Sequence, residues 1–123
     1  MPKGSASSAT DGTSQQRDDC RNIGPLLTEQ ELAADVRTPA AVGNATRYEA
    51  LRLIAETEDG ACGCELKPAL GVSQGAVSQA LSRLYAAGLV SRRERGRWRY
   101  YSATERAERL LDALNETRIL DNE

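Results

Sequence analysis

A mainly α-helical domain carrying one β-hairpin is what this sequence predicts, on three observations. Apolar residues recur at helical spacing through most of the chain. Two such stretches, residues 64–70 and 74–87, are separated only by a short turn beginning at Gly71. Directly after them, residues 89–101 read as two short strands folded about Gly96. Two helices joined by a Gly-containing turn and followed by a hairpin wing have the order of a winged helix-turn-helix.

Residues 1–22 are expected to form a disordered N-terminal arm. Its first 19 residues, rich in Ser, Thr, Gly and Gln, hold almost no large apolar side chain and cannot offset the entropy of ordering. Residues 23–123 form the folded unit. Thr28 and Glu31 fit a capping box for a helix over 29–37, which Thr38-Pro39 should stop. Asn44 is placed to cap a helix over 45–57, where Tyr48, Leu51, Ile54 and Ala55 share one side. Gly71 ends the 64–70 helix as a left-handed C′ residue. Ser73 caps the next, whose buried stripe is Val77, Ala80, Leu81, Leu84 and Tyr85. In the hairpin Trp98 and Tyr100 share a strand face and are expected to pack beneath the wing. Thr104 caps a last helix reaching about residue 120, with Ala107, Leu110, Leu111 and Leu114 spaced i, i+3, i+4, i+7.

Composition narrows the function. The 123 residues carry 16 Lys and Arg against 18 Asp and Glu, a net charge of −2, so the chain is no polybasic nucleic-acid coat. Histidine is absent, which removes imidazole base catalysis, Ser-His-Asp and Cys-His arrangements, and His-ligated zinc. With no Gly-rich phosphate loop and no convincing carboxylate pair, an enzyme is not expected. No apolar run approaches the roughly 18 residues that span a bilayer, and no secretory segment opens the chain. A cytoplasmic protein without membrane contact is expected.

The helix over 74–87 and the hairpin carry the signal for DNA. Opposite its apolar stripe the helix shows Gln74, Gly75, Ser78, Gln79, Ser82 and Arg83, with Ser73 at its start. Amide and hydroxyl side chains suit base edges in the major groove, and Arg83 suits guanine or phosphate. In the hairpin Arg92, Arg93, Arg95, Arg97 and Arg99 stand against Glu94 alone within eight residues. That local charge would attract the phosphate backbone despite an acidic pI near 5.3. Taken singly, each feature is also what a solvated helix face or a charged strand edge would show. A winged helix used only for protein contacts is the rival from another class.

The stretch from Ala45 to Tyr101 resembles the ArsR/SmtB family of metal- and metalloid-responsive repressors. Ala45-Thr46-Arg47 opens a Leu-Ile helix as in that family, and Cys62-Gly63-Cys64-Glu65-Leu66 is similar to its metal box. Residues 71–81 are similar to its recognition helix, and Gly96-Arg97-Trp98-Arg99-Tyr100-Tyr101 to its wing. The resemblance implies a homodimer formed by the N- and C-terminal helices. It also implies operator repression that needs no cofactor and ends when a thiophilic ion docks. Leu32, Val36, Ala107, Leu110, Leu111 and Leu114 are the expected interface; a terminal helix with a Leu seam independently calls for a partner surface.

Cys20, Cys62 and Cys64 are the only cysteines, and an odd count points to thiols or a metal site rather than a disulfide framework. Cys62 and Cys64 open a helix, whose N-terminus favours thiolates. Residues i and i+2 of a helix lie about 200° apart, so gripping one ion should unwind that turn. Thiolates without imidazole select soft ions, and two or three sulfurs suit As(III) or Sb(III). Within the family some arsenic-responsive members carry a further Cys where this chain has Lys67. Cys20, of the same or the other subunit, is then the expected third sulfur, an arrangement similar to the cadmium- and lead-responsive branch; the family's His-based zinc site has no counterpart. Cd, Pb or Zn therefore stand as alternative inducers. The same cysteines also read as unliganded small residues or as a redox switch.

Overall fold

The computed structural model describes residues 20–121; the first 19 residues of the expected arm lie outside the described residues. The elements run α1 (Glu29–Ala41), α2 (Ala45–Ala55), β1 (Ala61–Cys62), α3 (Gly63–Leu70), α4 (Gln74–Ala86), β2 (Val90–Arg95), β3 (Trp98–Ala103) and α5 (Glu105–Asp121). This is the winged helix-turn-helix order.

Local chemistry sets most boundaries. At α1 the Thr28 N–H donates to Glu31 Oε1 at 2.9 Å and the Glu31 N–H donates to Thr28 Oγ1 at 3.0 Å, a complete capping box. Asn44 Oδ1 accepts from the Arg47 N–H at 3.0 Å, and Ser73 Oγ accepts from Ala76 at 3.1 Å. Gly71 closes α3 at φ +69°, its N–H on the Lys67 carbonyl. One boundary differs from expectation: Pro39 does not stop α1, which runs on to Ala41. Proline there forfeits only its own N–H bond, to a carbonyl on an exposed face that water can satisfy.

The sheet has three strands in the order β1-β3-β2, all antiparallel. Strands β2 and β3 form the hairpin across the Gly96-Arg97 turn. Strand β1, two residues long and not foreseen, pairs Ala61 with Tyr101 and Cys62 with Tyr100. Gly60 makes this pairing possible. At φ +94°, a Cβ on it would lie 2.8 Å from Ser102 Oγ and 2.9 Å from the Tyr101 carbonyl oxygen.

The core is aliphatic, as a chain without Phe requires. Leu51 and Ile54 of α2, Val77 and Leu84 of α4, and Leu89 are its largest fully buried side chains. Tyr101 of β3 is buried against them, so the wing's base is anchored to α2 and α4. Trp98 and Tyr100 are the residues expected beneath the wing; Trp98 is half exposed and Tyr100 only partly buried. The alternation of β3 decides this: Tyr101 points inward, which puts Tyr100 and Trp98 on the other face. No described helix is long and apolar enough to cross a membrane.

Candidate nucleic-acid interface and thiol site

Helix α4 is held from one side. Val77, Ala80, Leu81 and Leu84 are buried, while Gln74, Gly75, Ser78, Gln79, Ser82 and Arg83 are all exposed. Ser73 is exposed too, with its hydroxyl oxygen already accepting the cap bond. Tyr85, expected in the stripe, is 44% exposed and carries the Arg92 guanidinium 4.3 Å above its ring. That contact ties the wing to α4.

The wing's arginines do not act alike. Arg95 leans over the Tyr100 ring at 5.5 Å, and Arg99 pairs with Glu94 at 3.4 Å on an exposed face. Arg93 donates from an η nitrogen to the Asp59 carbonyl at 2.8 Å, bracing the hairpin on the loop after α2. Arg97 sits in the two-residue turn between the strands, fully in solvent reach.

The cysteines depart most from expectation. Cys62 is not on a helical turn; it is the N-cap of α3, extended at φ −92°, ψ 162°, with its N–H donating to Glu65 Oε1 at 3.0 Å. The 200° separation of i and i+2 holds only within a helix, and here one of the two residues lies outside it. Cys62 and Cys64 therefore face each other with Cα atoms 5.2 Å apart, and their sulfurs are joined in a disulfide. The premise that both cysteines lie on opposite faces of a helical turn is corrected by this arrangement, which joins as a disulfide the two residues expected as free thiols. The sulfurs already meet while α3 keeps its turns. Glu65 serves as the cap that fixes Cys62, a role the sequence shows in its spacing from the N-cap. Cys62 is buried and Cys64 exposed.

Cys20 is exposed. Among the described residues no group of three or more Cys, Asp or Glu gathers as a metal site.

Beside the sulfur pair a cavity of about 340 Å³ opens, lined by Cys62 and Cys64, by Gln74, Ser78 and Ser82 of α4, and by Trp98 and Arg99 of the wing. The floor is tight. A Cβ on Gly63 would stand 3.5 Å from Val77 Cγ1 and 3.6 Å from Gln74 Nε2, so the start of α3 rests on the start of α4. The sulfurs thus share a cavity with both α4 and the wing, the two elements whose side chains suit DNA.

The terminal helices divide the expected interface residues. Leu32 and Val36 of α1 are 54% and 56% exposed. Leu110 and Leu114 of α5 are half-buried, beside a cavity of about 600 Å³ shared with Pro39, Val42 and Tyr48. Ala107 and Leu111 are buried in the chain's own core, which corrects their assignment to an interface. The i+4 step from 107 to 111 puts that pair on the inward face, with 110 and 114 beside it.

A family model described as bacterial regulatory protein, arsR family, matches residues 44–92. Over 108 residues the chain is 50% identical to a Halobacterium salinarum protein named for repression of an arsenical resistance operon, ArsR2; the match covers 88% of this chain and 91% of that one. Among solved structures, NolR from Sinorhizobium fredii superposes with a TM-score of 0.68 at 31% identity, covering 77% of this chain and 96% of that one. A homodimeric winged helix-turn-helix DNA-binding domain from Mycobacterium bovis gives 0.66 at 23% identity, covering 78% and 90%, and shares the fold.

Proposed function

The chain belongs to the ArsR family of DNA-binding transcriptional regulators, not enzymes, and we propose that it represses an arsenical-resistance operon until As(III) or Sb(III) binds Cys62 and Cys64. The observation that carries this is the cavity that the sulfur pair shares with Gln74, Ser78 and the wing. In the cytoplasm the pair is a dithiol. Arsenous acid, As(OH)₃, then condenses with it: two As–S bonds form, two As–O bonds break, and the two thiol protons leave in two waters. Held there, the metalloid would occupy the cavity lined by Gln74, Ser78 and Ser82, and because the sulfurs already meet, its capture would not require α3 to unwind.

The repressor acts as a homodimer, with Leu32, Val36, Leu110 and Leu114 supplying the apolar seam. Among the described residues the large exposed apolar side chains other than Tyr85 and Trp98 all lie in or just before α1 or at the end of α5. Two α4 helices would then meet half-sites about one helical turn apart on a palindrome. Moving the operator from mostly bound to mostly free asks the metalloid to favour the released form by about 10⁴, roughly 5.5 kcal/mol. Ions held by thiolates can supply on the order of 10 kcal/mol.

An arsenite titration of the protein–operator complex, followed by fluorescence anisotropy under reducing conditions, tests this. Cys62→Ser and Cys64→Ser should bind operator normally and stay bound at arsenite levels that release the unsubstituted protein. Release from either variant would refute the proposal. Cys20→Ser should respond unchanged.

The Cys62–Cys64 disulfide favours a second reading, a thiol-oxidation switch at the same place. There a peroxide would take two electrons from the dithiol, closing the S–S bond and leaving an alcohol or water and a second water. Operator release by peroxide without metalloid, reversed by a dithiol reductant, would establish it.

A further inference from the structure

The wing occupies one flank of α4; a second group of arginines gathers on the other flank. Arg37 of α1, Arg47 of α2 and Arg83 of α4 converge on a concavity of about 210 Å³ floored by alanines of α1 and α4. No Asp or Glu lines it. The only ion pairs among the described residues are Arg99–Glu94 and Arg109–Glu105, so none of these three guanidiniums is neutralised there. Three like charges drawn to one hollow repel each other unless an anion joins them.

Arg47 is held rather than loose. Its Nε donates to the Ala41 carbonyl at 2.7 Å and one η nitrogen to the Ala40 carbonyl at 3.3 Å, leaving the other η nitrogen for a ligand. It stands in the first turn of α2, which carries no acidic residue and presents its positive end here. The hollow is continuous with the reading face. Arg47 also lines a neighbouring depression of about 160 Å³ together with Asn44, Thr46, Ala76 and Gln79. Gln79 and Arg83 are one helical turn apart on α4, just as Ser78 and Ser82 are on the flank facing the wing. A helix about 10–12 Å across fills a major groove about 12 Å wide, so both phosphate walls come within reach of its flanks.

We infer that Arg37, Arg47 and Arg83 form a second phosphate-binding site, which takes a DNA backbone phosphate on the side of α4 away from the wing. The site rests on the DNA-binding reading above. With it the protein grips both walls of the groove, and α4 is held in register from two sides.

The test is the salt dependence of operator affinity between 50 and 200 mM, measured for the unsubstituted protein and for Arg37→Gln, Arg83→Gln, Arg97→Ala and Arg109→Gln. Arg47 is left alone because it holds the end of α1. Each lost phosphate contact reduces the slope of log K against log salt by about 0.9, or about 1.8 for two copies on one operator. Across that fourfold salt range, Arg37→Gln should therefore lose roughly 12-fold less affinity than the unsubstituted protein. Its preference for operator over scrambled duplex should not change, because phosphates carry no sequence information. Arg109→Gln, in the exposed pair on α5, should keep the original slope. An unchanged slope for Arg37→Gln and Arg83→Gln beside a flattened one for Arg97→Ala would overturn the second site and leave DNA binding standing. Salt-independent binding by every protein would overturn the DNA reading itself. Monomers of Arg37→Gln in sedimentation, with the slope kept, would assign the hollow to a contact between copies and also overturn the inference.

Discussion

Helix α4 turns short, neutral side chains outward, Gln74, Ser78, Gln79 and Ser82, and is backed along its length by Val77, Leu81 and Leu84 in the core. The wing turns Arg93, Arg95 and Arg97 outward, and of its strands only the base, Val90 and Tyr101, is buried. The difference matches two tasks. Reading a base edge needs atoms held in place, which burial provides; attracting a phosphate needs charge and tolerates looser support. The sulfur pair stands where the two meet, lining one cavity with Gln74, Ser78 and Ser82 of α4 and with Trp98 and Arg99 of the wing.

The sharpest way to break this comparison is to remove the backing of α4. Leu84 is fully buried, so Leu84→Ala should cost about 2–5 kcal/mol in urea unfolding. A loss well under 1 kcal/mol would mean α4 is not held as described. Next in size, Gln74→Ala should cost about 1–3 kcal/mol at the base pair it reads and little on other sequences, measured with single-substitution operators. Arg97→Ala should behave oppositely. It should weaken all duplexes alike and flatten the salt slope by about 0.9 per phosphate lost. Sequence-dependent loss in Arg97→Ala, or uniform loss in Gln74→Ala, would erase the division of labour. The smallest effect is expected of Arg99→Ala. Its partner Glu94 is exposed and 3.4 Å away, so stability should fall by less than about 1 kcal/mol.

The sequence announced what depends on neighbours along the chain. Thr28 with Glu31, Asn44, Ser73 and Gly71 mark helix ends through local bonds, and each acts where its spacing put it. The stripe of α4 was legible for Val77, Ala80, Leu81 and Leu84, because a 3.6-residue period leaves little choice. Tyr85 failed at the edge of that stripe, since its ring serves Arg92 of the wing rather than the core. Strand β1 was hidden because it is two residues long and its partners, Tyr100 and Tyr101, come almost forty positions later. That pairing also draws Cys62 out of the helix, so the mutual approach of the sulfurs could not be read from i, i+2 spacing. Arg93 on the Asp59 carbonyl and the convergence of Arg37, Arg47 and Arg83 are long-range in the same sense.

Arsenic X-ray absorption on the reduced, arsenite-loaded protein tests most directly whether the pair beneath the reading helix and wing is the sensor. Two sulfur neighbours and one lighter atom per arsenic are predicted, falling to at most one sulfur in Cys64→Ser. Arsenic without sulfur neighbours, in a sample that has released its operator, would contradict the account.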